Sequence, residues 1–289
     1  MSLIRVLRTA AATLTRTIYV DETPTDAAGA VTVAVTRLDG TAVTSGNATH
    51  AGTGVYTFVL PGQAQLDHLN VEWTGSVGGG TVALADRVEI VGGFLFGLAE
   101  ARASDMSLAS TVTYPTSTLA AKRIEVEQEC DRLCGWSFVP RFARAVLAGT
   151  GTDTVSLPDR AIRALRSVKT RSTPAEAYTS VPNLAYLAVS PGGTLTRYDG
   201  GLFPAGYGST VVEYEHGLDN PTTDLADAAM TRLRSRLNMH RSGIPDRTSS
   251  YTDANGATYR VVRPTRGTTG LDEVDAVYQR YEAPPLGFA

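Results

Sequence analysis

The 289-residue chain has two cysteines, four histidines and two lysines. Cys130 and Cys134 cannot form a disulfide framework, and no second Cys or His pair accompanies them to complete a four-ligand zinc site. The histidines, His50, His68, His216 and His240, leave little material for acid–base or nucleophilic catalysis, which needs a base within reach of a nucleophile. None lies in a G-x-S-x-G elbow or an H-E-x-x-H pair. Lys122 and Lys169 stand alone among 26 basic residues, an arginine bias that suggests a GC-rich coding sequence and carries no chemistry. The chain also lacks any long uninterrupted apolar run, and Arg5 and Arg8 break the first dozen residues, so neither a membrane span nor a secretory signal is expected. A net charge of −3 gives no global pull toward nucleic acid. The expectation is a soluble protein made in a cytoplasm, without membrane contact.

What is present suffices for a core: 43% of residues are hydrophobic, and the length suits about two domains. From Thr17 to Ile90, short β-branched and aromatic runs alternate with polar residues. Thr17–Val20, Val31–Val35, Val55–Leu60, Leu69–Trp73 and Arg87–Ile90 read as strands. Asp39-Gly40, Ser45-Gly46-Asn47, Pro61-Gly62 and Gly78-Gly79-Gly80 supply the turns. This spacing fits a small antiparallel sandwich, its aromatic core resting on Tyr56, Phe58 and Trp73.

After Gly92-Gly93 the period becomes helical. Leu119, Ile124, Val126, Cys130, Leu133 and Cys134 recur at three- and four-residue intervals, with Ser117 or Thr118 as N-cap and Gly135 as stop. On this helix the cysteines read as small buried hydrophobes, and Glu125, Glu127 and Glu129 as a solvated face rather than a catalytic pair. Arg144 to Glu215 returns to β-type sequence, a small sheet inserted between helices. Thr222 to Arg241 is helical again, with Leu225, Ala229, Leu233 and Leu237 four apart and acids at the start, arginines toward the end. A further amphipathic helix carries Leu271, Val274, Val277, Tyr278 and Tyr281. With little of its own to pack against, that tail is expected to seek a partner.

Gly78–Gly80 and Gly149–Gly151 open no helix, which disfavours a phosphate-cradling loop. Nine arginines from Arg232 to Arg280 face eight acids in the stretch beginning at Pro221. That balance suits inter-subunit ion pairs or brief non-specific contact with a DNA backbone, and is too small for a DNA-binding domain. His216, between a strand and the Gly217 turn, reads as structural.

Three stretches together carry a resemblance. The first is Leu98-Ala99-Glu100-Ala101-Arg102 with the later helix ending Cys134-Gly135-Trp136-Ser137-Phe138-Val139-Pro140-Arg141. The second is Leu157-Pro158-Asp159 followed by Ile162 to Val168. The third is Tyr214-Glu215-His216-Gly217-Leu218-Asp219-Asn220-Pro221 running into Asp224-Leu225, in which Tyr214, Gly217, Pro221 and Leu225 are the motif positions. With Thr269 to Val277, they make the last two-thirds of the chain resemble the head-to-tail adaptor (head-completion, connector) proteins of long-tailed bacteriophages, particularly of actinobacteria. The N-terminal part resembles, more loosely, the Ig-like modules of phage structural proteins.

The resemblance implies an α+β chain: an Ig-like β-sandwich over 1–92, a small helical adaptor domain over 93–244 with a β insertion at about 144–215, and an extended C-terminal arm over 245–289 ending in a short helix. It implies a structural virion protein without enzyme activity, cofactor or metal. Such adaptors form a ring, commonly of twelve copies, below the portal protein at the capsid–tail junction. The ring continues the DNA channel, touches passing double-stranded DNA non-specifically and receives tail-side stopper or tail terminator proteins. Match to the family's arm assigns portal or neighbour contact to Leu271, Val274, Tyr278 and Tyr281. A separate reading rests on the tyrosines Tyr178, Tyr186, Tyr198 and Tyr207 and on the sandwich: a β-module that binds carbohydrate or a host surface.

Overall fold

Alternating side chains carry the N-terminal region of the computed structural model into β1 (Leu3–Leu7), β2 (Ala12–Thr17), β3 (Tyr19–Val20), β4 (Thr23–Pro24), β5 (Thr32–Arg37), β6 (Ala42–Asn47), β7 (Thr49–Gly52), β8 (Val55–Leu60), β9 (Asp67–Val77) and β10 (Gly80–Val91). The structure describes residues 3–219, 221–239, 250–252, 258–260 and 267–283. One sheet runs β1-β10-β9-β5-β6, a second β2-β8-β7. Leu14, Tyr56 and Leu60 of the second share one core with Val33, Val71, Trp73 and Val88 of the first. The sheets therefore form two layers around buried Tyr56 and Trp73, and Phe58 is only partly buried against them. Gly78 and Gly79, at φ +61° and +83°, make the tight turn between β9 and β10, where a twist-matched two-residue hairpin needs positive φ at both central residues.

The first strand differs from expectation. Leu3–Leu7 pairs parallel to β10, with Arg5 directly beside Glu89. Arginine inside a short apolar run hides the strand pattern, yet its side chain is buried because Glu89 neutralises it there.

The inserted β segment comprises β11 (Arg141–Gly149), β12 (Thr154–Ser156), β13 (Ile162–Thr170), β14 (Thr179–Ser180), β15 (Leu187–Val189), β16 (Thr194–Arg197) and β17 (Gly206–His216). These make a four-stranded sheet, β11-β17-β13-β14, and a three-stranded one, β12-β16-β15. Val168, Leu195, Phe203, Val212 and Tyr214 lie in their common core. Contacts group this segment, Pro140–His216, with Met1–Gly93 as one unit; Phe94–Val139 and Gly217–Ala289 form the other. The inserted sheet thus belongs with the N-terminal strands rather than with the helices that flank it in sequence. Gly92 donates its N–H to Pro140 O at 2.8 Å, and His68 meets the Phe142 ring edge-on at 5.7 Å.

The second unit holds α1 (Leu98–Ser104), α2 (Thr116–Cys134), α3 (Thr223–Met239), a small ladder of β18 (Ser250–Thr252) and β19 (Thr258–Arg260), and α4 (Asp272–Arg280). The apolar stripe of α2, Leu119, Val126, Cys130 and Cys134, packs with Leu225, Ala229, Leu233 and Leu237 of α3. Gly135 ends α2 in the left-handed conformation at φ +78°, as a C-terminal stop requires. No described helix is long and apolar enough to cross a membrane.

The acids of α2 correct a sequence expectation. Glu127 and Glu129 are buried, at 0% and 6% exposure, and do not form a solvated face. Glu127 Oε1 accepts the Leu95 N–H at 3.0 Å, and Glu129 takes both prongs of Arg232 at 2.7 and 3.0 Å. Burial follows because α2 is covered on more than one side, so polar positions need internal partners.

Candidate functional site

The C-terminal helix, expected to meet another chain, packs within its own unit. Val274 and Tyr278 are 0% and 3% exposed within the helical unit's core, and Leu271 and Tyr281 are half-buried against it. Cys134 O accepts the Ala283 N–H at 2.7 Å, Trp136 Nε1 donates to Tyr281 O at 3.0 Å, and Tyr281 Oη donates to Asp224 Oδ1 at 2.8 Å. Arg280 pairs with the other Asp224 oxygen at 3.0 Å. Hydrogen bonds from Thr222 and Tyr281 hold the Asp224 carboxyl below its usual pKa. The helix therefore has partners inside its own unit: its apolar stripe completes the α2–α3 core. Residues 240–249, 253–257, 261–266 and 284–289, including His240 and much of the expected arm, lie outside the described residues.

The four motif residues divide between the units. Tyr214, fully buried on β17, donates its hydroxyl to Asp159 Oδ2 at 2.6 Å. Burial, reinforced by Asp159, raises its pKa. Gly217 sits at φ +99°, and a Cβ there would lie 2.3 Å from Val139 O. Only glycine meets both demands. Leu218 then donates its N–H to Ser137 O at 3.0 Å, Pro221 is half-buried, and Leu225 is fully buried in the helical core. The motif is a structural passage from the last strand of one unit into the helix of the other.

A buried charge cluster in the β unit is the feature that the sequence reading missed. Glu89, 5% exposed, accepts from Arg5 Nε at 2.6 Å and Arg141 Nη1 at 3.2 Å, with His68 Nε2 at 3.7 Å. It joins β1, β9 and β10 to β11. Burial alone would raise the Glu89 carboxyl; neighbouring His68 and the charges of Arg141 and Arg5 outweigh it and hold the group well below the usual carboxylate range. His216 pairs in register with Arg141 and lies 3.8 Å from Asp159. Burial lowers its pKa, Asp159 opposes, and Arg141 adds to the lowering. The available signal was Arg5 and Glu89, each set singly between apolar strand residues.

Nearby, a polar cleft of about 170 Å³ is lined by Arg37, Gln65, Asp67, Phe142, Arg166 and Glu213. Arg37 pairs with Asp67 at 3.0 Å, Arg166 holds Glu215 as well as Gln65, and Arg144 reaches Glu213 at 3.4 Å. Matched charges of this kind hold strands together. The remaining described histidine, His50, shares a hydrogen bond with half-exposed Asp26 at 2.8 Å. Among the described residues no group of three or more His, Cys, Asp or Glu is placed to hold a metal ion, and the sulfurs of Cys130 and Cys134 lie 3.9 Å apart in the helical core.

No protein-family model matches the chain, and no curated protein sequence matches it. Among solved structures, it is similar to a chain in the neck of the empty GTA particle computed with C6 symmetry, at 14% identity and TM-score 0.42, over 68% of this chain and 93% of that one. A second is in the neck of the native GTA particle computed with C12 symmetry, at 14% identity and TM-score 0.40, over 64% and 93%. A third is in the virion of the native gene transfer agent particle, at 13% identity and TM-score 0.43, over 68% and 93%.

Proposed function

We propose that this chain is a structural protein of the virion neck, a head-to-tail adaptor whose copies form a ring below the portal and continue the DNA channel. The observation that carries the reading is the interrupted helical unit. Residues 94–139 and 217–289 make one unit, split in sequence by a β segment, in the order of elements that the resemblance implies. At the split, Gly217 and Leu225 stand at the tight turn and the buried helix start that the motif requires. The near-balance of 26 basic and 29 acidic residues suits a channel wall that DNA must slide past, since strong phosphate neutralisation would hold it.

In this proposal the contact with portal or neighbour falls on the half-buried Leu271 and Tyr281 and on the exposed side of α4. Val274 and Tyr278 keep that helix on its own unit. The N-terminal sandwich, Ig-like in the resemblance, decorates the outside of the neck, and the tail-side face receives stopper or terminator proteins. The test is electron microscopy of the purified chain mixed with its cognate portal. A ring bound to the portal is the expected result; portals that remain bare at saturating chain concentration overturn the assignment.

A further inference from the structure

The three-stranded sheet β12-β16-β15 has one face that the core does not use. Its register pairs Leu187 with Arg197, Ala188 with Thr196 and Val189 with Leu195. One backbone bond continues beyond the ladder: Tyr198 donates its N–H at 2.8 Å to the carbonyl of Tyr186, the last residue of a short 3-10 turn, Leu184–Tyr186. Side chains alternate across a strand, so Leu187, Val189 and Leu195 turn into the core, and Ala188 and Thr196 share the opposite face. Thr154 of β12, paired with Thr196, continues it. Tyr186 and Tyr198, joined by that backbone bond at the end of the ladder, are 54% and 70% exposed.

This face carries no charged side chain. Arg197 belongs to the other side, where its guanidinium grips Asp199 at 2.9 and 2.7 Å and lies over the Phe203 ring. The other tyrosines of the region are placed differently: Tyr178 Oη is committed to Gly208 O at 2.7 Å, and Tyr207 lies on β17, outside this sheet.

We propose that the Tyr186–Tyr198 face is a binding site for a neutral polysaccharide. Tyrosine offers an apolar ring with a polar tip and little rotamer freedom to lose, which suits it to cover the C–H face of a sugar ring. The Thr154 and Thr196 hydroxyls beside the pair donate and accept hydrogen bonds, matching sugar hydroxyls. A nucleic acid would need cations to neutralise phosphate, and an anionic polysaccharide would need them equally. A hydroxyl-bearing sheet face without charged side chains, flanked by two exposed tyrosines, fits uncharged sugar.

The test uses the full chain on a printed array of neutral hexose and pentose oligosaccharides, followed by titration calorimetry with the strongest hit. Retention of a neutral glycan is expected, weakened at least about tenfold by combined Tyr186→Ala and Tyr198→Ala and unchanged by Tyr207→Ala. Tyr198→Trp is expected to retain binding, which separates loss of the platform from loss of fold. A silent array overturns the proposal, as does glycan binding that both alanine substitutions leave intact. If the array is silent and Tyr198→Ala instead abolishes association between copies of the chain, the face is a protein interface. Portal binding is read in a separate assay, so either reading can fail without the other.

Discussion

Replacing Glu89 by Gln is the sharpest perturbation of the β unit. The side chains of Arg5, Glu89 and Arg141 are only 2%, 7% and 7% exposed, so Glu89→Gln takes a carboxylate away from two guanidinium groups in a place with little water. Removing one member of a buried ion pair costs about 3–5 kcal/mol, against about 0–1 kcal/mol for a surface pair. In a unit of about 170 residues, each kcal/mol moves the melting temperature by roughly 2–4 °C, so a fall of roughly 10 °C is expected. The chain's two tryptophans fall one in each unit, Trp73 in the β unit and Trp136 in the helical one. In a Trp136→Phe background, fluorescence therefore reports the β unit by itself. Combining Arg5→Met, Glu89→Leu and Arg141→Met removes these three charges together, and stability should recover most of what Glu89→Gln alone loses. A loss below about 1 kcal/mol for Glu89→Gln would refute the claim that this cluster joins the two β segments.

His216 makes stability pH-dependent in a defined direction. Its folded pKa lies below 6.5, so the unfolded chain binds more protons, and stability falls as pH drops below about 6.5 until the folded pKa is passed. The contribution of Glu89, whose folded pKa lies well below 4.5, is lost only at more acid pH. Urea midpoints between pH 7 and pH 5 should decline, and His216→Asn should flatten that slope. Gly217→Ala, which sets a Cβ 2.3 Å from Val139 O at φ +99°, should cost more than the roughly 1 kcal/mol of a left-handed alanine alone, measured by thermal melting. Arg232→Met leaves Glu129 in a nearly dry site with only Arg236 at 3.1 Å and should destabilise the helical unit by about 3 kcal/mol, read from Trp136 fluorescence. Thr210→Val should be neutral or stabilising by up to about 1 kcal/mol in the same urea titrations. Its hydroxyl, on a fully buried residue of β17, has no hydrogen-bond partner among the described residues.

Most helices and strands were legible locally. Leu225, Ala229, Leu233 and Leu237 repeat at helical spacing, Gly78-Gly79 can only be a tight turn, and Gly135 terminates α2, because backbone sterics and side-chain periodicity act within a few residues. Burial was not legible in the same way. Glu127 and Glu129 look solvent-facing in the sequence, and only the packing of α2 against α3 puts Glu129 beside Arg232. The C-terminal helix likewise looks short of partners until α2 and α3 cover Val274 and Tyr278.

By itself, then, the sequence determined the alternation of β and helical segments, the turns and stops that glycine and proline impose, and the poverty of groups for catalysis. Tertiary structure alone decided that Pro140–His216 joins the N-terminal strands, that Arg5, Glu89 and Arg141 meet out of water, and that exposed Tyr186 and Tyr198 are joined backbone to backbone. The physical reason is reach. Periodicity and turn chemistry depend on neighbours in the chain, whereas desolvation and ion pairing depend on residues far apart in it, 84 positions for Arg5 and Glu89 and 103 for Glu129 and Arg232, brought together only when the elements pack.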